Sequence, residues 1–320
     1  MKKGFFIKAL DCFFATRPLL IIPVWGYGIF GLFKAVDANA FGHWPFFSAG
    51  KQLDVFLWII VFSCSVSMVY VINQLADIEA DKKNGGLPLI AGGIVSIKAA
   101  ITTAVIAGVV SLAAPLIFGK FSIALLSAFS MALGALYSCR PTRLSGRPYF
   151  DFLANALGFG IIAFGVGYVC GGKSLLTPRF FVDALPYTLL MCAGSISSTL
   201  PDIAGDQSDG KITTAVMLGK KKAHALATVF IIIAAISAGL NRDIVALVCS
   251  VAALPLYIAY AVKPHQNLEE ATYKVGGAIM MLLCTVILPI LVPAALLLFF
   301  ATSSYFRLRH KVKYPSLVPE

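Results

Sequence analysis

Asp77, Ile78, Asp81 and Gly85 recur with the same spacing as Asp202, Ile203, Asp206 and Gly210. Each string follows a long apolar run. Residues four apart share one face of a helix, so each string presents a pair of carboxylates, and Asn73 extends the first face by one turn. Facing carboxylates repel each other unless a cation lies between them. Hard oxygen donors suit Mg²⁺, which keeps open positions for phosphate oxygens. Two matched pairs with metal therefore make a receptor for a diphosphate rather than for a simple carboxylate. Lys82, Lys83 and Lys211 next to the strings, and Arg140 and Arg143 between them, are cations able to contact phosphate oxygens and a departing diphosphate.

Charged residues make up only 13% of the chain, yet Asp77, Glu79, Asp81, Asp202, Asp206 and Asp209 are six of its 15 acids. Solvated helix-end charge is the plain alternative for one such cluster. Two clusters on one template make it the lesser reading. Glu79 lies off the face of the aspartates on either side of it and is not expected as a ligand. Asp209 is close enough in sequence to approach the site, but reads first as a loop charge.

The elements that must position these residues are membrane helices. Mean hydropathy is +0.86 and 59% of the 320 residues are hydrophobic. Repeated apolar stretches of about 17 to 25 residues have the length that crosses a bilayer. Continuous runs of this kind specify helices, whereas a barrel strand alternates over about ten residues. The expected fold is an all-α integral membrane bundle of nine spans. They lie at roughly 16–36, 55–75, 99–118, 121–137, 152–170, 184–200, 223–240, 244–262 and 275–301. The whole chain, 1–320, reads as one membrane-embedded domain, with an interfacial segment at 1–15 and a basic tail at 302–320. Asp11 interrupts the apolar part of the first segment and no small-residue cleavage site follows. A retained interfacial helix is therefore expected rather than a signal peptide.

Four spans separate the two acidic strings, an even number, so both lie on one membrane face. Sixteen of the 26 Lys and Arg fall on that face with the N-terminus, and the positive-inside rule makes it cytoplasmic. An odd span count leaves Arg307, Arg309, Lys311 and Lys313 of the tail opposite, a placement their charge disfavours. Pro289 and Pro293 give the last segment the means to bend back. The net charge of +11 is accounted for by topology and attraction to anionic lipid, and no nucleic-acid partner is expected. The seven cysteines have no paired spacing, so neither a disulfide nor a zinc site is expected. His43, His224, His265 and His310 lack ligand spacing and read as surface or interface residues.

Together these residues resemble the UbiA superfamily of intramembrane prenyltransferases. That family is marked by Asn-x-x-x-Asp-x-x-x-Asp after its second helix, here Asn73, Asp77 and Asp81. It is marked again by Asp-x-x-x-Asp after its sixth, here Asp202 and Asp206. The likeness continues through Arg17-Pro18, Leu87-Pro88-Leu89, Tyr137-Ser138, Asn155 with Gly158, and Gly210-Lys211 through Leu218-Gly219. It implies a nine-helix bundle around a cavity open laterally to lipid, in a cell inner membrane with active-site loops in the cytoplasm. It implies Mg²⁺ on Asn73, Asp77, Asp81, Asp202 and Asp206, and a polyprenyl diphosphate whose tail lies in an apolar groove. Lys83, Arg140, Arg143, Asn155, Lys211 and Arg17 are then substrate-binding. The four aspartates are catalytic, and Tyr137 lends an aromatic face to an allylic carbocation. Without the resemblance, Tyr137 reads as an interfacial anchor and Asn155 equally well as a helix–helix hydrogen bond.

The sequence departs from many members at Pro141, where a lysine is common, leaving Arg140 or Arg143 as substitutes. Gln74 and Leu87 also depart. Asn73-Gln-Leu with Asp77-Ile-Glu and Leu87-Pro-Leu is most similar to the homogentisate prenyltransferase branch, which implies a small aromatic acceptor and quinone, tocopherol or pigment lipid synthesis. A non-aromatic acceptor such as a chlorophyllide, glycerol lipid or phospho-sugar is the alternative on the same bundle. A transporter is the alternative of another class, since Asp183, Asn155 and the run from Ser195 to Thr199 place polar groups inside the membrane.

Overall fold

The computed structural model describes residues 2–36, 47–83 and 87–315, without the side chains of Lys2, Lys3, Phe5, Ala80 and Lys83. His43, Asn84, Gly85 and Gly86 lie outside the described residues. Within them the chain is helical throughout: α1 (Lys2–Ala15), α2 (Ile22–Ala35), α3 (Ala49–Ala76), α4 (Ile78–Lys83), α5 (Ile97–Ile117), α6 (Phe121–Ser138) and α7 (Phe150–Ala156). There follow α8 (Phe164–Cys170), α9 (Pro178–Thr199), α10 (Ile203–Ser208), α11 (Thr214–Leu240), α12 (Ile244–Val262), α13 (Gln266–Ile287) and α14 (Leu291–Tyr305). A π-helical stretch, Leu157–Ala163, joins α7 to α8, making one span of Phe150–Cys170.

Local sequence sets these boundaries. Ser48 and Ser96 cap α3 and α5, accepting from the backbone N–H groups of Lys51 and Ala99, while Thr213 and Asp243 do the same for α11 and α12. Gly219, at φ 73°, breaks α11 after its first turns, a conformation that glycine tolerates best.

Among the described residues ten helices, not nine, are long and apolar enough to cross a bilayer. The expected last span at 275–301 is divided at Leu288, Pro289 and Ile290 into α13 and α14. Hydropathy runs on through the break, but Pro289 removes a backbone donor and ends the helix before it. The chain then returns, so that Arg309 reaches Asp11: its Nε and Nη2 donate to Oδ1 and Oδ2, each at 2.6 Å. Tyr305 donates to the same Oδ1 at 2.5 Å, and its ring stacks on Phe14. The tail and the N-terminal helix therefore share a face. Asp11, which reads as an interruption in an apolar stretch, is buried at the end of α14.

The centre of the bundle is α2, of which all residues from Val24 to Ala35 are buried. It packs on α8, where both backbones come close at glycine: a Cβ on Gly167 would lie 1.6 Å from the Gly28 carbonyl oxygen. α3 packs on α5 and α6, and α11 on α9 and α12. The outer faces of α5 and α14 present Ile101, Val105, Ile106, Leu297 and Phe300, exposed apolar side chains suited to lipid.

At the end of the bundle away from the acidic strings, Lys34 is buried with its ammonium 3.7 Å from Asp183 and 3.5 Å from Asp243. Arg179 also reaches Asp183, at 2.9 Å, and Tyr168 donates to it. Asp183 thus belongs to a closed ionic cluster tying α2, α9 and α12 together, which is how charges are accommodated in such interiors. His224, expected at a surface or interface, is instead buried between α11 and α12, with Nε2 2.9 Å from the Tyr257 carbonyl.

Candidate active site

Asp77 of the first acidic string and both aspartates of the second line one polar cavity; Asp81 is not among its lining residues and lies beside Arg17. Asp77 closes α3 and begins a kink into α4, and Asp202 occupies the matching joint between α9 and α10. In each string the backbone crosses the joint by the same bond: Asp81 N–H donates to the Asp77 carbonyl, and Asp206 N–H to that of Asp202, both at 2.8 Å. The i to i+4 backbone bond survives the breaks in the helices.

The cavity, of about 210 Å³, is lined by Asn73, Asp77, Tyr137, Asp151, Asn155, Asp202, Asp206, Lys211 and Thr213, together with Ser145 and Thr199. Asn73, Tyr137 and Asn155 also line a second cavity of about 700 Å³ that runs into the bundle between apolar side chains including Tyr27, Phe30, Phe159, Leu190 and Met280. A polar chamber thus opens into a long apolar one, with three polar side chains at the junction. Asn155 ties the junction together: its amide donates to Ser195 Oγ of α9 at 3.0 Å and to the Tyr137 hydroxyl of α6 at 3.4 Å. The helix–helix bond and the cavity position are both realised. Asn73 donates to Asp77 at 3.4 Å and to Ser138 Oγ at 3.3 Å.

Three cations reach the aspartates. Arg143 Nη2 donates to Asp77 Oδ1 at 2.7 Å, Arg17 lies 3.9 Å from Asp81, and Lys211 lies 3.8 Å from Asp206. Arg143, not Arg140, is the residue that the loop after α6 turns inward; Arg140 is exposed. The Lys83 side chain lies outside the described residues. Lys82 pairs with Glu79 at 3.0 Å on the outer surface, away from the aspartates.

Burial raises the pKa of Asp81, and the charge of Asp77 adds to this while Arg17 opposes it. Asp202 is raised by burial and by Asp206. Asp206 is raised by burial and by Asp209 and Asp151, against Lys211 and Thr213. Three acids whose charged forms are disfavoured by burial make a site that added positive charge would stabilise. Asp209 lies in the turn after α10, and its charge adds to the raising of both Asp81 and Asp206. Among the described residues no three acidic, imidazole or thiol groups converge on one point at metal-ligand distance. Arg143, Arg17 and Lys211 stand against the carboxylates instead.

Sequence reasoning passed over Asp151 and Thr213. Thr213 carries the mark of a helix cap, and it also donates to Asp206 Oδ2 at 3.3 Å. Asp151 has only the weak mark of an acid in the first turn of a helix.

A sequence model of the UbiA prenyltransferase family matches residues 38–275. A search of curated proteins finds no match to this chain. Among solved structures, a digeranylgeranylglyceryl phosphate synthase superposes with a TM-score of 0.64 at 19% identity, over 88% of this chain and 97% of that one. A UbiA homologue from Archaeoglobus fulgidus bound to GPP and Mg²⁺ gives 0.63 at 18%, over 87% and 99%. The apo structure of a UbiA homologue from Aeropyrum pernix gives 0.58 at 17%, over 87% and 97%. At these identities the likeness is one of fold.

Proposed function

The chain belongs to the UbiA prenyltransferase family, and we propose that it transfers a polyprenyl group from a polyprenyl diphosphate to a small, aromatic acceptor in quinone, tocopherol or pigment lipid synthesis. The observation that carries this reading is the junction of the two cavities. A diphosphate head fits the chamber holding Asp77, Asp202 and Asp206, and an isoprenoid tail fits the apolar chamber beyond Tyr137 and Asn155.

The donor set suits a divalent cation. It is all oxygen, comes in two pairs, and burial and mutual repulsion hold three of its carboxyls above their ordinary pKa. Asp77, Asp81, Asp202 and Asp206, with Asn73, would hold Mg²⁺; the Archaeoglobus fulgidus homologue was solved bound to GPP and Mg²⁺. Bound there, the ion neutralises the diphosphate and stabilises its departure.

The remaining steps belong to the chain's own residues. Arg143, Lys211 and Arg17 stand within reach of the carboxylates and hold the phosphate oxygens as negative charge grows on them. The allylic C–O bond breaks, and its electron pair leaves with the diphosphate. The carbocation lies beside the Tyr137 ring, whose face is electron-rich. The apolar walls exclude the water that would otherwise quench it. The acceptor ring then forms the new C–C bond through its π electrons and loses a proton.

With the tail returned beside the N-terminus, its four cations join the other sixteen and six remain on the opposite face. The positive-inside rule favours a cytoplasmic active site. The digeranylgeranylglyceryl phosphate synthase neighbour supports a second reading, in which a glycerol-lipid hydroxyl is the acceptor.

The test incubates purified protein with Mg²⁺, radiolabelled geranylgeranyl diphosphate and a panel containing homogentisate, 4-hydroxybenzoate and a geranylgeranylglyceryl phosphate. Lipid-extractable product and diphosphate release are measured with and without chelator. Chelator-sensitive product with an aromatic member supports the first reading and product with the glycerol lipid the second. No product and no diphosphate release would sink both.

A further inference from the structure

The loop between α6 and α7 touches both acidic strings. At one end it carries Arg143, which donates to Asp77 of the first string at 2.7 Å. At the other end its backbone and the start of α7 grip the segment that follows the second string. Ile212 N–H donates to the Gly146 carbonyl at 3.2 Å, and Tyr149 N–H to Thr214 Oγ1 at 2.7 Å. Asp151 completes the grip with both carboxylate oxygens: Oδ2 accepts from Thr214 N–H at 2.7 Å and Oδ1 from Thr214 Oγ1 at 2.5 Å.

The gripped segment is the one that holds Asp206. Thr213 Oγ1 donates to the Asp206 carboxylate, Lys211 Nζ lies 3.8 Å from it, and Lys211 N–H donates to the Asp206 carbonyl at 2.9 Å. Asp151 is 4% exposed and Thr214 is fully buried, so water does not compete for these bonds. The loop is fixed along its length. Arg147 donates to the Pro141 carbonyl, and the two anchors, Arg143 at φ 35° and Tyr149 at φ 68°, both have a positive φ, which residues other than glycine seldom adopt. Such backbones persist where surrounding contacts over-determine them.

We infer that Asp151 is a positioning residue: through Thr214 it sets Asp206, and with Arg143 it makes the loop a bridge that fixes the spacing of the two acidic strings. Asp151 lines the polar cavity, but both its oxygens are engaged by Thr214, so it acts through that residue rather than on substrate. A carboxylate pair shared between two separate segments binds a cation only when the segments are held at the right distance. Partners that orient metal ligands typically change affinity by about 10- to 100-fold.

This inference rests on the prenyltransferase reading, and its experiment separates the two. Mn²⁺ binding to purified full-length protein is measured by EPR, and diphosphate release from geranylgeranyl diphosphate is measured against Mg²⁺ concentration. Wild type is compared with Asp151→Asn, Thr214→Val and Thr214→Ser. The bridge predicts that Asp151→Asn and Thr214→Val weaken Mn²⁺ binding and raise the half-saturating Mg²⁺ by about tenfold. Thr214→Val regains most of its turnover at saturating Mg²⁺, and Thr214→Ser, which keeps the hydroxyl, matches wild type. A merely structural role would lower the yield of folded protein without moving the metal dependence of the remainder. Unchanged metal dependence in both variants overturns the inference and leaves the prenyltransferase reading intact. So does loss of turnover at saturating Mg²⁺ with unchanged Mn²⁺ binding, which would place Asp151 on the substrate. Wild type that neither binds Mn²⁺ nor releases diphosphate overturns both.

Discussion

Arg143 and Asp77 lie 66 residues apart in sequence and meet at 2.7 Å, the aspartate lining the polar cavity. The bond crosses from the loop after α6 to the end of α3, and both partners are largely sheltered, the guanidinium 22% and the carboxylate 15% exposed. A charge-assisted bond in such a place is stronger than its surface equivalent. On the proposed prenyltransferase reading, it also puts a cation where a diphosphate bound at the aspartates would lie.

Arg143→Ala should therefore lower turnover by about 100-fold, the scale for losing one preorganised electrostatic contact at a departing anion. Arg143→Lys should recover part of this, since an ammonium supplies charge without the planar fork. Arg140→Ala should stay within about twofold of wild type, as an exposed loop substitution. Steady-state kinetics on the three variants checks the assignment, and equal losses at the two positions would refute it.

The raised carboxyls of Asp81, Asp202 and Asp206 give a signed pH dependence. Because their folded pKa values stand above the ordinary 3.8, the native protein holds more protons than the unfolded chain in that range. Their contribution to stability is greatest below the unfolded pKa and is lost as pH rises through the folded values. A divalent cation binds the ionised forms and offsets the loss. The rise in Tm on adding Mg²⁺ should be larger at pH 7.5, where a stabilisation of about 2.7 kcal/mol is expected at 100 times the Kd for the ionised site, than at pH 4.5. Differential scanning fluorimetry in nanodiscs at the two pH values decides it; an equal rise at both would argue against metal on these carboxylates.

What the sequence made legible follows from range. Helices and acidic strings are local, and hydropathy with i to i+4 spacing located them, though only Asp77 of the first pair lines the polar cavity. Tertiary partners are not local. Nothing near Asp11 announces Arg309, nothing near Lys34 announces Asp183 and Asp243, and Asp151 gives no sign of Thr214 until the bundle closes. Pro289 and Pro293 mark where the last segment can bend back, but not that an extra span results, because the apolar run continues on both sides of the break. The choice between Arg140 and Arg143 depends on a loop conformation, with Arg143 at φ 35°, that charge and spacing do not encode.

Asp11 should respond to pH in the opposite sense from the site. Burial pushes its pKa up, but bonds from Arg309 and Tyr305 outweigh that and hold it below the ordinary carboxylate range. Its contribution is present above the unfolded pKa and is lost as pH falls through the folded value. Asp11→Asn should cost about 2 kcal/mol at pH 7, less than a fully buried pair because Arg309 reaches solvent. Denaturation at pH 7 and at a series of pH values below the ordinary 3.8 should show the deficit shrinking as the pH falls. A deficit independent of pH would mean that packing of α14 on α1, not the ion pair, is what the aspartate supports.

Two glycines separate stability from specificity. A Cβ on Gly167 would lie 1.6 Å from the Gly28 carbonyl oxygen, a backbone atom with no rotamer to give way, so Gly167→Ala must push α8 from α2. A cost of about 3 kcal/mol is expected, at the upper end of overpacking, along with a distorted cavity, because α2 carries Tyr27 and Phe30. Gly194 lines the same cavity from α9, and a Cβ there meets nothing within 4 Å. Gly194→Ala should leave Tm within about 2 °C of wild type, the scale of a surface change. Gly194→Leu should fill the apolar chamber and shift preference towards shorter prenyl diphosphates. Competition between geranyl and geranylgeranyl diphosphate reads this directly. An unaltered ratio in Gly194→Leu would mean that the tail does not run past this wall.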